Sequence, residues 1–316
     1  MSSKIALVIG SRGQDGSLLS KSLLSKNYSV VGLARQKTEP SETQLRLGIE
    51  KDIIQVKGDI TNPKDIDDLI SKYQPQEIYN FAAQSSVGKS FSLPKETIES
   101  IVQGTINVLE TTKNLDFRGR TFFAGSSEIF GETEKAATIN NSHNPQSPYA
   151  IAKQTSFNLV KFYRETYGIN CVTGVLFNHE SPYRSAHFVT QKIISGALKC
   201  SRNKSHKITL GNIDIARDWG WAEEYIDAIQ LITNSNKVKD HLICTGISTT
   251  LKRFIEITFN KLDLNWKDHI KLNKKLFRKS EILHSYGNPL QLKKDLNWEP
   301  IINIEEIIER LIEEHI

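Results

Sequence analysis

Tyr149 and Lys153 stand four residues apart in SPYAIAK, where the proline suits the first turn of a helix. On a helix that spacing puts both side chains on one face. A free phenol, with a pKa of about 10, stays protonated at neutral pH, and a neighbouring ammonium favours its phenolate. The pair can therefore act as a general base toward a sugar or alcohol hydroxyl, provided Lys153 also fixes a ribose. Y-x-x-x-K is short enough to arise often by chance, so its surroundings decide. Upstream, in FFAGSSEIFGETEK, a strand-like run ends in Ser126 and Ser127 and is followed at once by Glu128. That carboxylate is either a second catalytic group or the acidic residue suited to a helix N-terminus.

A second group of residues suits phosphate chemistry. IGSRGQDGSLL follows the first strand-like run and opens a helical pattern, and its Gly10, Gly13 and Gly16 give G-x-x-G-x-x-G. Glycines so placed turn the chain tightly and bring backbone N–H groups to a pyrophosphate at the helix N-terminus. Gln14 and Asp15, between the last two glycines, belong to the same expected contact. Alone, the pattern also fits any tight strand-to-helix turn; its position after the first strand favours a dinucleotide site. At the end of the second strand, VGLARQK has Arg35 where an NAD site usually carries Asp or Glu, and Arg12 lies inside the glycine loop. Two cations suit a 2′-phosphate, so NADP is the expected cofactor, with two surface arginines as the plain alternative. Asp59, in KGDI, ends the third strand within reach of an adenine, with Ile60 beside it. A cap or turn is the other role open to Asp59.

These groups need elements to hold them. The first half alternates β-branched runs with helical patterns: KIALVIG, DGSLLSKSLLSKN, YSVVGLA, DIIQVKGD, PKDIDDLISKY, EIYNFAA, a helical stretch over 94–113, then RTFFAGS. Strand and helix in alternation imply parallel strands joined by right-handed crossovers. The expected fold is α/β, a doubly wound parallel sheet of the Rossmann type, over residues 1–177. A smaller, mostly C-terminal substrate domain, 178–316, is expected to interleave with the sheet. Within 94–113, Ile98, Ile101, Val102, Thr105 and Leu109 share one helical face. A second long helix is predicted from Pro148 to Tyr167.

Composition excludes other classes. The 316 residues are 38% hydrophobic and 24% charged, as in an ordinary soluble globular protein, with a net charge of +5. The longest apolar runs, IALVI and CVTGVLF, fall far short of the roughly 20 residues that span a bilayer. MSSKIALVIG enters a strand without a signal peptide's apolar region, so no membrane partner and a cytoplasmic location are expected. Cys171, Cys200 and Cys244 are odd in number and widely spaced, which suggests neither a disulfide framework nor a metal site. The densest basic stretch, KLNKKLFRK, is a solvated face without a nucleic-acid motif, although a small anionic substrate fits the charge.

Taken together, these features resemble the extended short-chain dehydrogenase/reductase superfamily, and within it the GDP-mannose 4,6-dehydratase family. The resemblance runs from GSRGQDGS through QPQEIYNFAAQSSV, GSSEIFGE, SPYAIAK, LFNHESPYR and GNIDIARDWGWAEEYIDAI to FRKSEI and LNWEP, nearly the whole chain. LFNHESP and RDWG discriminate best, because reductases and epimerases share the rest. The family carries a Thr–Ser–Glu run matched here by Ser126, Ser127 and Glu128. The implied chemistry has Tyr149 take the C4 hydroxyl proton while hydride passes from C4 to NADP⁺. The new ketone acidifies C5–H, and Glu128 removes that proton. Water then leaves C6 with a proton returned by Glu128, Ser126 hydrogen-bonds nearby, and hydride returns to C6. A plain reductase needs no C5 base, so Glu128 separates the two activities.

By the same resemblance, Ala82, Ala83 and Ser85 line the cofactor ribose, and His179 and Arg184 approach the nicotinamide and its phosphate. Ser86, Asn178, Lys192, Arg217, Arg278 and Glu281 match positions that hold the GDP-sugar. Several positions depart from the family. Ile9 replaces the usual threonine, Ser126 keeps a hydroxyl but loses a methyl, and Tyr183 and Ser185 replace Arg and Gly. The loop after Arg35 lacks the arginine–serine cluster that reaches a neighbour's cofactor. A homodimer on the two long helices is therefore expected, with the family's homotetramer as the alternative. A GDP-sugar 4-reductase or epimerase is the competing enzyme. A non-catalytic NADP-binding protein is the competitor from another class.

Overall fold

The computed structural model describes residues 3–35, 39–277 and 280–315. It opens with β1 (Ile5–Ile9), α1 (Gln14–Ser25), β2 (Ser29–Ala34), α2 (Glu42–Leu47), β3 (Ile53–Lys57), α3 (Pro63–Tyr73) and β4 (Glu77–Asn80). Next come α4 (Val87–Ser90), α5 (Pro94–Ile98), a π turn (Glu99–Gln103), α6 (Gly104–Asn114) and β5 (Arg120–Ala124). A 3-10 turn (Ser127–Phe130) leads toward α7 (Pro148–Tyr167) and β6 (Cys171–Leu176). The remainder holds β7 (Asn178–Glu180), α8 (Val189–Arg202), β8 (Ile208–Leu210), β9 (Ala216–Arg217), β10 (Trp219–Trp221), α9 (Ala222–Asn234) and β11 (His241–Ile243). It ends in β12 (Thr249–Thr250), α10 (Leu251–Asn260), β13 (Ile270–Leu272), β14 (His284–Ser285), α11 (Leu290–Leu296) and α12 (Ile304–Glu313).

β1 is apolar on both faces and buried from Ala6 to Ile9, as a strand covered on both sides must be. It sits centrally in a seven-stranded sheet of order β11-β6-β5-β4-β1-β2-β3, whose neighbours from β6 to β3 are all parallel. This is the expected doubly wound sheet. Leu7, Ile9, Val31 and Ile78 pack with Ile66 and Leu69 of α3, Leu109 of α6 and Val160 of α7.

By contacts the chain resolves into two units. One comprises residues up to Ile129, Pro145–Leu176 and Ile226–His241; the other comprises Phe130–Asn144, Phe177–Tyr225 and the chain from Leu242. The passage at Leu176 lies beside the expected boundary at 177. Most of α9 rejoins the first unit, where Gln230 donates to Ser22 Oγ at 2.8 Å and Arg120 donates to the Thr233 and Ser235 carbonyls. The second unit has its own core of Ile193, Trp219, Phe254, Ile255 and Leu311. There the Asp218 carboxylate, buried in RDWG, accepts the Thr245 hydroxyl at 2.6 Å and the Gly246 N–H at 2.9 Å. Burial pushes its carboxyl up, and those bonds oppose the shift.

Both long helices form where the sequence places them, with one difference. α7 spans Pro148–Tyr167 as predicted: Ser147 caps it by accepting the Ala150 N–H, and Gly168 ends it at a φ of 69°. The 94–113 segment is broken by the π turn at Glu99–Gln103. The wider turn rotates α5 relative to α6 about the helix axis, so one predicted face becomes two. Ile101, Thr105 and Leu109 are buried, whereas Ile98 is 43% exposed.

A buried ion pair ties α7 to the sheet edge. Asp240 Oδ1 accepts Arg164 Nη1 at 2.8 Å and the Thr173 N–H of β6 at 2.7 Å. Removing the carboxylate leaves the guanidinium, still bonded to the Cys171 carbonyl, without its counter-charge and the Thr173 N–H without its acceptor. Asp240→Ala is expected to destabilise the protein by about 3 kcal/mol, seen as a lower urea midpoint; an unchanged midpoint would show that water replaces the carboxylate without loss.

Candidate active site

The first unit carries a cleft of about 580 Å³ at the C-terminal ends of β1 to β4, where the strand order reverses direction. Open α/β sheets bind ligands at that place. Of the predicted cofactor residues, Gly10, Arg12, Gly13, Arg35, Asp59, Ile60, Ala82 and Ala83 line it. The geometry fits a dinucleotide. Gly10 has a φ of 88°, and a Cβ there would lie 2.9 Å from the Ala82 nitrogen. Gly13 is the N-cap of α1 and offers no side-chain cap, and a helix N-terminus is a place suited to an anion.

Other members of the predicted set stand elsewhere. Gly16 is buried, and a Cβ there would come 2.3 Å from the Gly10 carbonyl oxygen, so this glycine allows helix and strand to approach. Gln14 donates to Asp15 Oδ1 at 2.9 Å. Asp59 lines the cleft, yet its Oδ1 also accepts the Thr61 N–H at 2.9 Å, the turn role that its sequence left open. Ser85 is exposed and not among the cleft's lining residues. Ser86 caps α4 by accepting the Lys89 N–H.

Tyr149 and Lys153 come together as their spacing implies, with the Lys153 Nζ 5.8 Å from the centroid of the Tyr149 ring. The ring is buried against Ile101 and Ala152. Lys153 is buried too, and its Nζ donates to the Ala124 carbonyl at 2.6 Å. Burial pushes the ammonium down to about 8, with Asp15 opposing. Ala124 ends the strand that leads to Ser126, so one hydrogen bond joins the two candidate catalytic segments.

Ser126 and Ser127 are buried, and Glu128 is half-buried in the 3-10 turn. Ser126 Oγ accepts the Glu128 N–H at 3.3 Å. A single 3-10 turn has little dipole for a carboxylate to complement, which weakens the purely structural explanation of Glu128.

In the second unit the predicted residues have structural partners. Asn178 and His179 lie on β7, which pairs with β10. His179 Nδ1 is 2.7 Å from the Phe177 carbonyl, and its ring stacks on Tyr225 with centroids 4.8 Å apart. Arg184 donates to the His179 carbonyl, pairs with buried Glu180 at 3.5 Å and covers the Phe188 ring. Lys192 donates to the Thr209 carbonyl at 2.6 Å, and buried Arg217 donates to the Ala216 carbonyl at 2.8 Å. Glu281 is half-buried. Arg278 and part of the loop after Arg35 (36–38) lie outside the described residues.

Seven cleft residues were not among those assigned from the sequence: Ile9, Leu33, Ala34, Gly58, Gln84, Glu96 and Ser100. The last two come from the α5–π turn segment, whose approach to the cleft no local motif announces. Among the described residues, no three His, Cys, Asp or Glu side chains converge as a metal site requires, and no helix is long and apolar enough to cross a membrane.

Known proteins share both sequence and architecture with the chain. A family model for GDP-mannose 4,6 dehydratase matches residues 7–311. GDP-mannose 4,6 dehydratase 1 of Arabidopsis thaliana is 36% identical over 323 residues, which cover 98% of this chain and 89% of that protein. The GDP-mannose 4,6 dehydratase of Cricetulus griseus is 31% identical, covering 98% and 91%. Among solved structures, a dTDP-glucose 4,6-dehydratase from Streptomyces venezuelae with NAD and TYD bound superposes with a TM-score of 0.88 at 20% identity, covering 98% and 96%. A UDP-glucose 4-epimerase from Thermotoga maritima gives 0.87 at 19% identity, covering 98% of each chain. At such identities the structures speak for the fold alone, whereas the family model and the relatives span nearly the whole sequence: the chain belongs to the GDP-mannose 4,6 dehydratase family.

Proposed function

We propose that this chain is an NADP-dependent GDP-sugar 4,6-dehydratase, a lyase that converts GDP-mannose to GDP-4-keto-6-deoxymannose. The observation that carries this is the meeting of Tyr149, Lys153 and the Ser126–Glu128 turn in the unit that holds the dinucleotide cleft. A nicotinamide cofactor, when bound, accepts hydride from C4 and returns it to C6, so the reaction has no net redox change. Tyr149, as phenolate, takes the C4 hydroxyl proton; the adjacent Lys153 ammonium favours that ionised form and binds the ribose. Glu128 takes the C5 proton once C4 is a ketone and delivers a proton to the C6 oxygen, which leaves as water. The proton that Tyr149 took from the C4 hydroxyl balances the one that C5 regains at the end. Ser126 holds the Glu128 backbone and supplies a hydroxyl beside the leaving oxygen.

NADP is favoured over NAD by Arg12 and Arg35 lining the cleft. Gly10, Gly13, Gln14 and Asp15 serve the pyrophosphate, Asp59 and Ile60 the adenine end, and Ala82, Ala83 and Ser85 the ribose. His179 and Arg184 serve the nicotinamide end, with Ser86, Asn178, Lys192, Arg217, Arg278 and Glu281 assigned to the GDP-sugar. A homodimer is supported by outward apolar residues on the two long helical segments, Ile98, Ile151 and Phe162, each more than two-fifths exposed. Three buried, unpaired cysteines suit a reducing cytoplasm. A plain GDP-sugar 4-reductase needs no C5 base and would have no use for Glu128 in that role.

The direct test is mass spectrometry of GDP-mannose incubated with the protein and catalytic NADP⁺, without added NADPH. Loss of one water is expected; conversion only with stoichiometric NADPH on a 4-keto sugar would indicate the reductase. Glu128→Gln should bind NADP within about twofold of the parent while losing at least about a hundredfold in turnover, and undiminished turnover would remove Glu128 as the C5 base.

Lys153 makes a separate prediction. Its folded pKa of about 8 lies below the unfolded value of 10.5, so the unfolded chain binds more protons between those values. The cost of burying the ammonium is full below pH 8 and is relieved as pH rises toward 10.5. The stability of the parent relative to Lys153→Met should therefore rise by about 3 kcal/mol across that window. A pH-independent difference in denaturation midpoint would contradict it.

A further inference from the structure

One charged contact in the cofactor cleft has no part in the dehydration chemistry. Arg35 Nη2 lies 3.5 Å from Glu96 Oε1, and both residues line the cleft. Glu96 comes from α5 rather than from a strand end. Ser100, in the π turn after α5, lines the same cleft, so this helical segment forms part of its wall.

A carboxylate here acts oppositely on the two forms of a nicotinamide dinucleotide. Toward NAD, it can accept a hydrogen bond from the free ribose 2′-hydroxyl, the task that Asp or Glu at the end of the second strand performs elsewhere. β2 ends instead in Ala34 followed by Arg35, so Glu96 supplies the acceptor that the strand lacks. Toward NADP, the same carboxylate is a like charge beside the 2′-phosphate and a competitor for the guanidinium. The pair is a single 3.5 Å contact between side chains 52% and 46% exposed, so a phosphate can displace it readily. The other cleft carboxylate, Asp59, already has Oδ1 engaged by Thr61.

We propose that Glu96 is a specificity-determining residue of the adenosine-ribose subsite: it restrains the preference for NADP that Arg35 creates and gives the site a usable affinity for NAD. The inference rests on the assignment of Arg35 to a 2′-phosphate. It is tested by calorimetric titration of NADP⁺ and NAD⁺ into the purified protein and three variants. Glu96→Gln keeps the shape and removes the charge, and should tighten NADP about tenfold while leaving NAD within about threefold. Glu96→Ala removes the acceptor and should weaken NAD about tenfold. If neither variant changes the NADP-to-NAD ratio by more than about threefold, the role of Glu96 is refuted. Arg35→Ala should weaken NADP about tenfold or more with little effect on NAD. Unchanged NADP affinity in that variant overturns the Arg35 assignment itself and the inference with it, a failure distinct from that of the Glu96 variants.

Discussion

A lysine ammonium buried against a strand-end carbonyl is the constraint on which the candidate chemistry depends. Lys153 Nζ donates to the Ala124 carbonyl at 2.6 Å, which fixes the first turns of α7 to the end of β5. Tyr149 is carried on those turns, and Ser126 and Glu128 are carried on the chain just beyond Ala124. One bond thus sets the relation between the two groups proposed to act on adjacent carbons of one sugar. Burial of the ammonium is costly, and the shift of its pKa to about 8 measures that cost. The same burial keeps the positive charge in a low dielectric, where it acts on the Tyr149 ring more strongly than an exposed lysine would. Preorganisation here is bought with stability.

The dinucleotide cleft depends on a different kind of constraint, the absence of side chains. Gly10 adopts a φ of 88° and Gly16 lies against the Gly10 carbonyl, so strand, turn and helix approach more closely than any Cβ permits. That approach leaves the N-terminus of α1 open toward the cleft, with Gly13 as a cap that offers no acceptor of its own. An anion there meets the positive end of the α1 dipole, where backbone N–H groups point along the helix axis.

Much of this was legible because it obeys local rules. The parallel, doubly wound sheet follows from alternating strands and helices with right-handed crossovers, and the start of α7 from Pro148. Tyr149 and Lys153 meet because four residues make about one helical turn. The features that were not legible depend on tertiary placement. The π turn adds a residue to a helix whose periodicity reads as continuous, so Ile98 leaves the face that Ile101 and Leu109 share. Asp59 was ambiguous because one carboxylate both closes a turn and borders the cleft. Glu96 was invisible because nothing in LPKETIES says which strand end the helix approaches.

The residues of the second unit show why resemblance and geometry carry different information. His179, Arg184, Lys192 and Arg217 each have a partner within their own unit: a carbonyl, a carboxylate or an aromatic ring. Those partners explain how the side chains are held, and they neither require nor forbid a ligand. Arginine has five donors in a fixed fork, so a guanidinium anchored to a backbone carbonyl through one nitrogen still presents others. Lysine carries its three donors on a single nitrogen at the end of a flexible stem, so an ammonium bonded to one carbonyl keeps two donors and can reorient them when a phosphate arrives. Within this set the arginines are therefore fit to be rigid diphosphate contacts, whereas Lys192, exposed and bonded to the Thr209 carbonyl, is fit to be an adjustable one. Burial reverses that order between Arg35, half-exposed and loosely paired, and Lys153, held at one buried carbonyl. Specificity that can drift in evolution is expected at the loose pair, and chemistry that cannot drift at the buried one.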